Sequence, residues 1–181
     1  MYIAEQLKKK SVAEYLLYMW QVEDMLRAYG LDVEKIATDY IPQFGLDAEK
    51  SEALKGWYES LVEMIREEGV TEKGHLQVNK NIIILLNDLH AQLLKSSKHP
   101  FYSAAYYKAL PFIVELRAKS AESQEKGEIE NCFDALYGTM LLRAQKKEIS
   151  AETATAIDNI AKFMGLLSDY YQKDKAGEVE F

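Results

Sequence analysis

The sequence has few of the residues that interrupt helices and almost none that build thiolate sites. It contains one cysteine, three prolines and nine glycines in 181 residues. With Cys132 alone, an intramolecular disulfide is impossible and a zinc site built on several cysteines is excluded. The longest aliphatic run, Ile82 to Leu86, is far shorter than the ~20 apolar residues of a membrane helix. Because the start, MYIAEQLKKKS, also lacks the apolar core of a secretory signal, we expect a cytoplasmic protein without a membrane anchor.

The signatures of common catalytic sites are also missing. The sequence has no Gly-rich phosphate loop, no H-E-x-x-H or G-x-S-x-G motif and no EF-hand loop, and it lacks the two Glu-x-x-His motifs of di-iron bundles. We therefore expect no metal and no cofactor, and the sequence favours a protein that is not an enzyme.

The charge is acidic, with a net value of −7 and a pI of about 5.1. The densest basic run, Lys8-Lys9-Lys10, is too short to follow a phosphate backbone. We therefore expect no binding to nucleic acid or to anionic membranes. A nucleic-acid regulator would need a basic face assembled from separate helices.

Apolar residues make up 48% of the chain and recur with the 3.6-residue period of helices, without the alternation of strands. The sequence predicts an all-α fold: one domain over residues 1–181, a bundle of six or seven helices, mostly antiparallel because their connections are short. A helical repeat is a minor alternative. Residues 1–10 form a turn of their own or extend the first helix, and residues 172–181 are predicted to fray. The predicted helices span residues 11–29, 33–40, 48–68, 72–95, 101–121, 128–147 and 151–173.

Capping residues and one proline support these boundaries. Ser11 and Glu14 have the spacing of a capping box, and Asp47 and Ser150 precede two other helices as N-caps. Pro111 falls inside the fifth predicted helix, where its missing N–H removes one backbone hydrogen bond. The sequence therefore predicts a kink at Pro111.

Three polar side chains fall within the apolar stripe of the fourth predicted helix: His75, Asn79 and His90. Each needs a partner, because a buried polar group left unpaired costs roughly 1–3 kcal/mol. The favoured interpretation is a set of core residues whose hydrogen bonds are satisfied by neighbouring helices. The alternative is a polar pocket in which a histidine binds a small-molecule ligand. His75 and His90, ~22 Å apart along such a helix, cannot share a metal ion.

Charged residues on other helices are candidates to complete this pocket: Glu23, Arg27, Glu115 and Glu130. Glu23 and Arg27, four residues apart, predict an ordinary ion pair on one helix. Alternatively, they order a polar cluster with Gln21 or Asp24. Glu115 is predicted to meet another helix or solvent, and Glu130 lies beside the apolar stripe of its helix.

Cys132 and the tyrosines complete the list of candidates. A free cysteine at the edge of an apolar stripe is usually a small buried hydrophobe, and no motif supplies the base that a nucleophile needs. The twelve tyrosines combine an apolar ring with a polar tip. This combination suits the rim of a core, and it also suits protein interfaces.

Four segments together resemble a known family: AEYLLYMWQVEDMLRA (13–28), EKGHLQVNKNIIILLNDLH (72–90), YYKALPFIVELRAKS (106–120) and IENCFDALYGTMLL (129–142). The chain resembles a family of helical proteins of about 180 residues from Bacteroides-type bacteria, which is a domain of unknown function. The resemblance covers nearly the whole chain. It implies an all-helical single domain in a bacterial cytoplasm, and it brings no activity, ligand or catalytic residue.

These observations favour a helical binding or protein-interaction module, with self-association as one form of that interaction. The alternative is a small-molecule-binding protein or enzyme whose pocket lies near Asn79 and His90.

Overall fold

The computed structural model describes residues 1–119 and 121–181, and these residues form helices and connecting segments without a strand. The all-α prediction is therefore confirmed. Nine α-helices and one short 3-10 helix, Ile41–Phe44, occur in this part of the chain. The α-helices are α1 Tyr2–Lys10, α2 Val12–Ala28, α3 Val33–Asp39, α4 Ala48–Glu67, α5 Gln77–Lys95, α6 Pro100–Ala118, α7 Ala121–Glu125, α8 Glu128–Ala144 and α9 Ala151–Lys175.

The number of helices differs from the predicted six or seven for two reasons. Residues 2–10 form a helix of their own, because Ser11 adopts an extended conformation with φ −154° and ψ 113° and separates α1 from α2. Its Oγ accepts a hydrogen bond from the Glu14 N–H, as the capping box predicts. The short helix α7 lies where a linker was expected, and it is too short to show a helical period in the sequence.

The fourth predicted helix begins five residues later than expected. Helix α5 begins at Gln77, and the segment before it is irregular. Gly74 has a φ of +90°, which a helix cannot contain. His75 therefore lies in a loop rather than in the first turn of a helix.

The long helix α9 lies at the centre of the bundle and packs against α2, α5, α6 and α8. Its fully buried residues include Ile160, Phe163 and Leu167. They lie three or four positions apart, so one face of the helix supplies them all. Within the described residues, no helix is both long enough and apolar enough to cross a bilayer.

Two expectations concern α6 and the C-terminal segment. Helix α6 continues through Pro111 to Ala118, and the kink at Pro111 stays a prediction. Helix α9 extends to Lys175, so its last turn includes residues that were predicted to fray. Beyond it, the carbonyl of Glu180 accepts a hydrogen bond of 2.9 Å from His99 Nε2.

Candidate functional site

The carboxylate of Glu23 on α2 is fully buried, and three donors converge on it. His75 Nδ1 lies 2.7 Å from Oε2. The Leu76 N–H donates to Oε1 at 3.1 Å, and Asn79 Nδ2 donates to the same oxygen at 2.7 Å. Since a carboxylate only accepts, the proton in the first contact lies on the histidine. Glu23 thus joins α2 to the loop before α5 and to the first turn of α5.

The ring of His75 is held from a second side by Trp20. The two rings stack at 3.9 Å with an angle of 10° between their planes. Trp20 also makes edge contacts with Phe133 and Tyr137 on α8. In the part of the chain that the structure describes, Trp20 Nε1 and Asn79 Oδ1 are buried without a hydrogen-bond partner. The arrangement fixes the orientation of His75 and limits the space beside it.

Arg27 does not pair with Glu23, so the predicted i, i+4 ion pair is wrong. Its Nη1 pairs with Asp24 at 3.1 Å, and the rest of the guanidinium donates to the carbonyls of Val70 and Gly74. The donors to Glu23 come instead from His75, Leu76 and Asn79. The guanidinium and the carboxylate thus fasten the same loop at two points.

His90 belongs to a separate buried cluster, eleven residues beyond Asn79 on α5. The Tyr102 hydroxyl and His90 Nδ1 form a hydrogen bond of 2.6 Å, and the rings of Tyr106 and Phe163 pack edge-on against the imidazole. Tyr106 in turn donates to Glu128 at 2.8 Å. The Nδ1 atom of His90 therefore has a hydrogen-bond partner inside an aromatic core.

This burial predicts a specific dependence of stability on pH. Burial among Tyr102, Tyr106 and Phe163 lowers the pKa of His90 below its ordinary 6.5, and the charge of Glu128 opposes the shift. The unfolded state then binds the proton more readily than the folded state. The stabilisation from neutral His90 is complete above pH 6.5 and is lost as the pH falls from there toward the folded pKa.

As the pH is lowered from about 7.5 to about 5.5, we expect the unfolding free energy of His90→Gln to fall less than that of the wild type. Urea denaturation at a series of pH values measures the difference. Gln92→Ala, which replaces an exposed residue of the same helix that does not titrate, is the control and should keep the pH dependence of the wild type. An identical pH dependence in His90→Gln and the wild type would contradict the assignment.

The remaining candidates lie apart from both clusters. Glu115 is exposed and pairs with Lys119 at 3.6 Å. Glu130 is half-buried in the first turn of α8. Burial raises the pKa of the Cys132 thiol, which keeps it protonated and unreactive. Of the seven candidate pocket residues, the structure thus groups Glu23, His75 and Asn79, with Arg27 at the edge.

A surface feature that the sequence reading missed runs along the outside of α6. Exposed apolar residues recur there at alternating intervals of three and four: Ala104, Tyr107, Pro111, Val114 and Ala118. We call these five residues the α6 stripe. Tyr107 is 63% exposed and Val114 57% exposed, while Tyr102, Tyr106, Ala109 and Ile113 fill the core from the opposite face. The signal in the sequence is a helix that is apolar on two faces.

The α6 stripe has the spacing of the a and d positions of a coiled coil. Tyr107 and Val114 occupy d-type positions, and the residues that follow them are Lys108 and Glu115. Both charged residues are exposed and lie on the same edge of the stripe. The stripe itself contains no charged side chain. Such a surface is typical of a helix that packs against another helix.

No curated protein and no solved structure is similar to this chain. One family model, described as a domain of unknown function (DUF4924), matches residues 1–178. That description assigns no activity, so any function must be inferred from the geometry above. The match covers nearly the whole chain, and the protein belongs to the DUF4924 family.

Proposed function

We propose that this protein is a helical interaction module that associates with a second copy of itself through the α6 stripe. The observation that carries the proposal is the heptad spacing of five exposed positions along one helix. The family resemblance supports a bacterial cytoplasm as its location.

Burying the stripe would remove apolar surface from water at about 25 cal/mol per Å². Tyr107 and Val114 are the large residues of that surface, and each is more than half exposed. Ala104 and Ala118 are small and lie near the two ends of the stripe. They allow a second helix to approach closely while Tyr107 and Val114 fill the spaces between its side chains.

The charges beside the stripe favour an antiparallel pair. When two copies of α6 pack antiparallel, the edge that carries Lys108 and Glu115 in one copy faces the same edge of the other copy. If the two copies cross near Pro111, Lys108 of each copy comes within one turn of Glu115 of the other. In a parallel pair, the edge with Lys108 and Glu115 would face the other edge of the second copy, which contains Ser103 and Arg117. The two attractions between lysine and glutamate would then be lost. The stripe is therefore complementary to a second copy of itself.

This proposal accounts for more of the geometry than the alternative of a polar pocket near Asn79 and His90. Asn79 faces Glu23, whereas His90 faces Tyr102 in a separate cluster. Both residues are buried and bonded within the protein. Their arrangement supports a role in holding helices together.

Sedimentation equilibrium across protein concentrations up to the millimolar range tests the association. We expect a monomer–dimer equilibrium in the wild type. Val114→Arg should leave a monomer, because it places a charge in the centre of the apolar seam. Ile84→Arg is the matched control, since Ile84 is 54% exposed on α5, and it should associate as the wild type does.

A charge exchange tests the antiparallel geometry. Lys108→Glu alone should weaken dimerisation roughly fivefold, because like charges then face each other twice. Combining it with Glu115→Lys should restore most of the affinity. A wild type that stays monomeric at the highest concentration, or a dimer that is insensitive to Val114→Arg, would contradict the proposal. A double variant as weak as the single variant would contradict the antiparallel arrangement.

A further inference from the structure

A second apolar surface lies far from α6 in the sequence and shares no residue with the α6 stripe. A cavity of about 290 Å³ opens between α1, α2, the 3-10 helix and α4, and its walls include Tyr2, Ile3, Tyr18, Phe44, Leu46 and Tyr58. A second cavity of about 210 Å³ shares Ile3, Tyr18 and Phe44 with it. We call the two together the N-terminal groove. The first cavity alone is close to the lower end of the range of small-molecule sites in other proteins, about 300–1,000 Å³.

The walls of the groove are apolar, yet phenol hydroxyls lie within them. Tyr58 is only 2% exposed, and its hydroxyl has no hydrogen-bond partner in the described part of the chain. That hydroxyl is nevertheless not sealed from solvent. Because Tyr58 lines the groove and no protein group accepts from its hydroxyl, this hydroxyl can donate a hydrogen bond to an atom of a ligand that enters there.

Two more tyrosines surround this position. Tyr18 lies in the walls of both cavities, and Tyr40 lies in the wall of the second. Their hydroxyls also have no hydrogen-bond partner in the ranges described. Burial raises the pKa of Tyr18, Tyr40 and Tyr58, so all three remain neutral hydrogen-bond donors at physiological pH. The groove can therefore donate to an oxygen atom of a ligand.

The charge of the groove limits the ligand further. None of the side chains that line either cavity is charged, and burial lowers the pKa of the amino group of Met1, a residue in the wall of the first cavity, to about 6, so that this group is mostly neutral at pH 7. An ionised group buried there would lose its hydration without gaining an opposite charge, which is costly. The part of a ligand inside the groove must therefore be neutral.

We propose that the N-terminal groove binds a neutral, apolar small molecule, about the size of two fused aromatic rings, that carries one hydrogen-bond-accepting oxygen. The rings or chain would pack between Ile3, Phe44 and Leu46, with the oxygen facing the Tyr58 hydroxyl. Four segments of the chain form the groove, so binding would also fasten α1 and the 3-10 helix to the bundle.

Three related probes separate the apolar and polar parts of this recognition in calorimetry with the full chain. 2-Acetylnaphthalene has the rings and a carbonyl oxygen, 2-ethylnaphthalene has nearly the same shape without the oxygen, and 2-naphthoate is charged. We expect the ketone to bind with a stoichiometry of one per chain. The hydrocarbon should bind roughly fivefold more weakly, because one hydrogen bond is lost, and the naphthoate more weakly still.

Variants locate the site. Tyr58→Phe keeps the ring and should lower affinity for the ketone to that for the hydrocarbon. Tyr170→Phe, which removes a hydroxyl from α9 outside the groove, should change nothing. Ile3→Trp should abolish binding by filling the cavity, and it is expected to fold because Ile3 is 47% exposed. Circular dichroism confirms the fold of each variant.

Two results would overturn the inference: no binding of the ketone to the wild type, or naphthoate binding as tightly as the ketone. Unchanged ketone affinity in Tyr58→Phe would reject the assigned hydrogen bond. None of these results depends on the α6 stripe, so this site and the self-association can fail separately.

Discussion

Glu23→Ala is expected to lower the free energy of unfolding by about 3–5 kcal/mol, because it removes the acceptor from a buried cluster. The Leu76 N–H and the Asn79 amide would lose their partners, and His75 would keep only its stacking on Trp20. Each orphaned group costs roughly 1–3 kcal/mol in the core. The empty space left by the side chain adds to the loss.

Urea denaturation followed by circular dichroism measures this effect. Glu14→Ala is the control on the same helix; Glu14 is exposed, and the change should stay within about 0.5 kcal/mol. Glu23→Gln should fall between the two, because its amide fits the space but turns an N–H toward the donors. A loss below about 1 kcal/mol for Glu23→Ala would show that the three hydrogen bonds do not anchor the loop.

Phe163→Ala is expected to cost about 3–5 kcal/mol of stability. Phe163 is fully buried near the middle of α9, and its ring contacts those of His90, Tyr102 and Tyr106. Removing it opens a cavity where α5, α6 and α9 meet. The surrounding rings are too rigid to close that cavity.

The matched control is Phe101→Ala. Phe101 is 85% exposed, so the same substitution should change the unfolding free energy by less than about 0.5 kcal/mol. Urea denaturation gives both changes in unfolding free energy from the shift of the midpoint, provided that the slope of free energy against urea concentration stays the same. Equal effects of the two substitutions would contradict the placement of Phe163 in the core.

Local signals account for the parts of the fold that could be predicted from the sequence. Ser11, Asp47 and Ser150 accept hydrogen bonds from backbone N–H groups of the helices that they precede. These caps act over three residues, so they are readable without a structure. The start of α5 was misplaced because Gly74 was treated as part of a helix. The carbonyl of Gly74 accepts from Arg27, and the next two residues contact Glu23, so the partners of this segment are remote in sequence.

The candidate site was predictable only in part. Asn79 was recognised as a buried polar residue, and Glu23 was among its possible partners. Their hydrogen bond spans 56 positions, so no local spacing could pair them. His90 was grouped with Asn79 because both lie on one apolar stripe. Eleven residues along a helix correspond to about 16 Å, which is enough to place them in different clusters.

The α6 stripe was missed because each tyrosine of that helix was assigned to the edge of the core. Tyr106 and Tyr107 are adjacent in the chain but differ by about 100° around the helix axis. One therefore enters the core, whereas the other faces solvent. Sorting the apolar residues of α6 by angle would have revealed two faces from the sequence.

Burial of the single thiol at Cys132 simplifies spectroscopic work on this protein. Alkylating reagents and spin labels reach a sulfhydryl only as an accessible thiolate, and the folded chain offers them none at this position. A cysteine introduced beside Tyr107 or at the rim of the N-terminal groove would therefore take a label alone, with the native residue left in place. Distances between two such labels could then be measured in the otherwise unmodified protein.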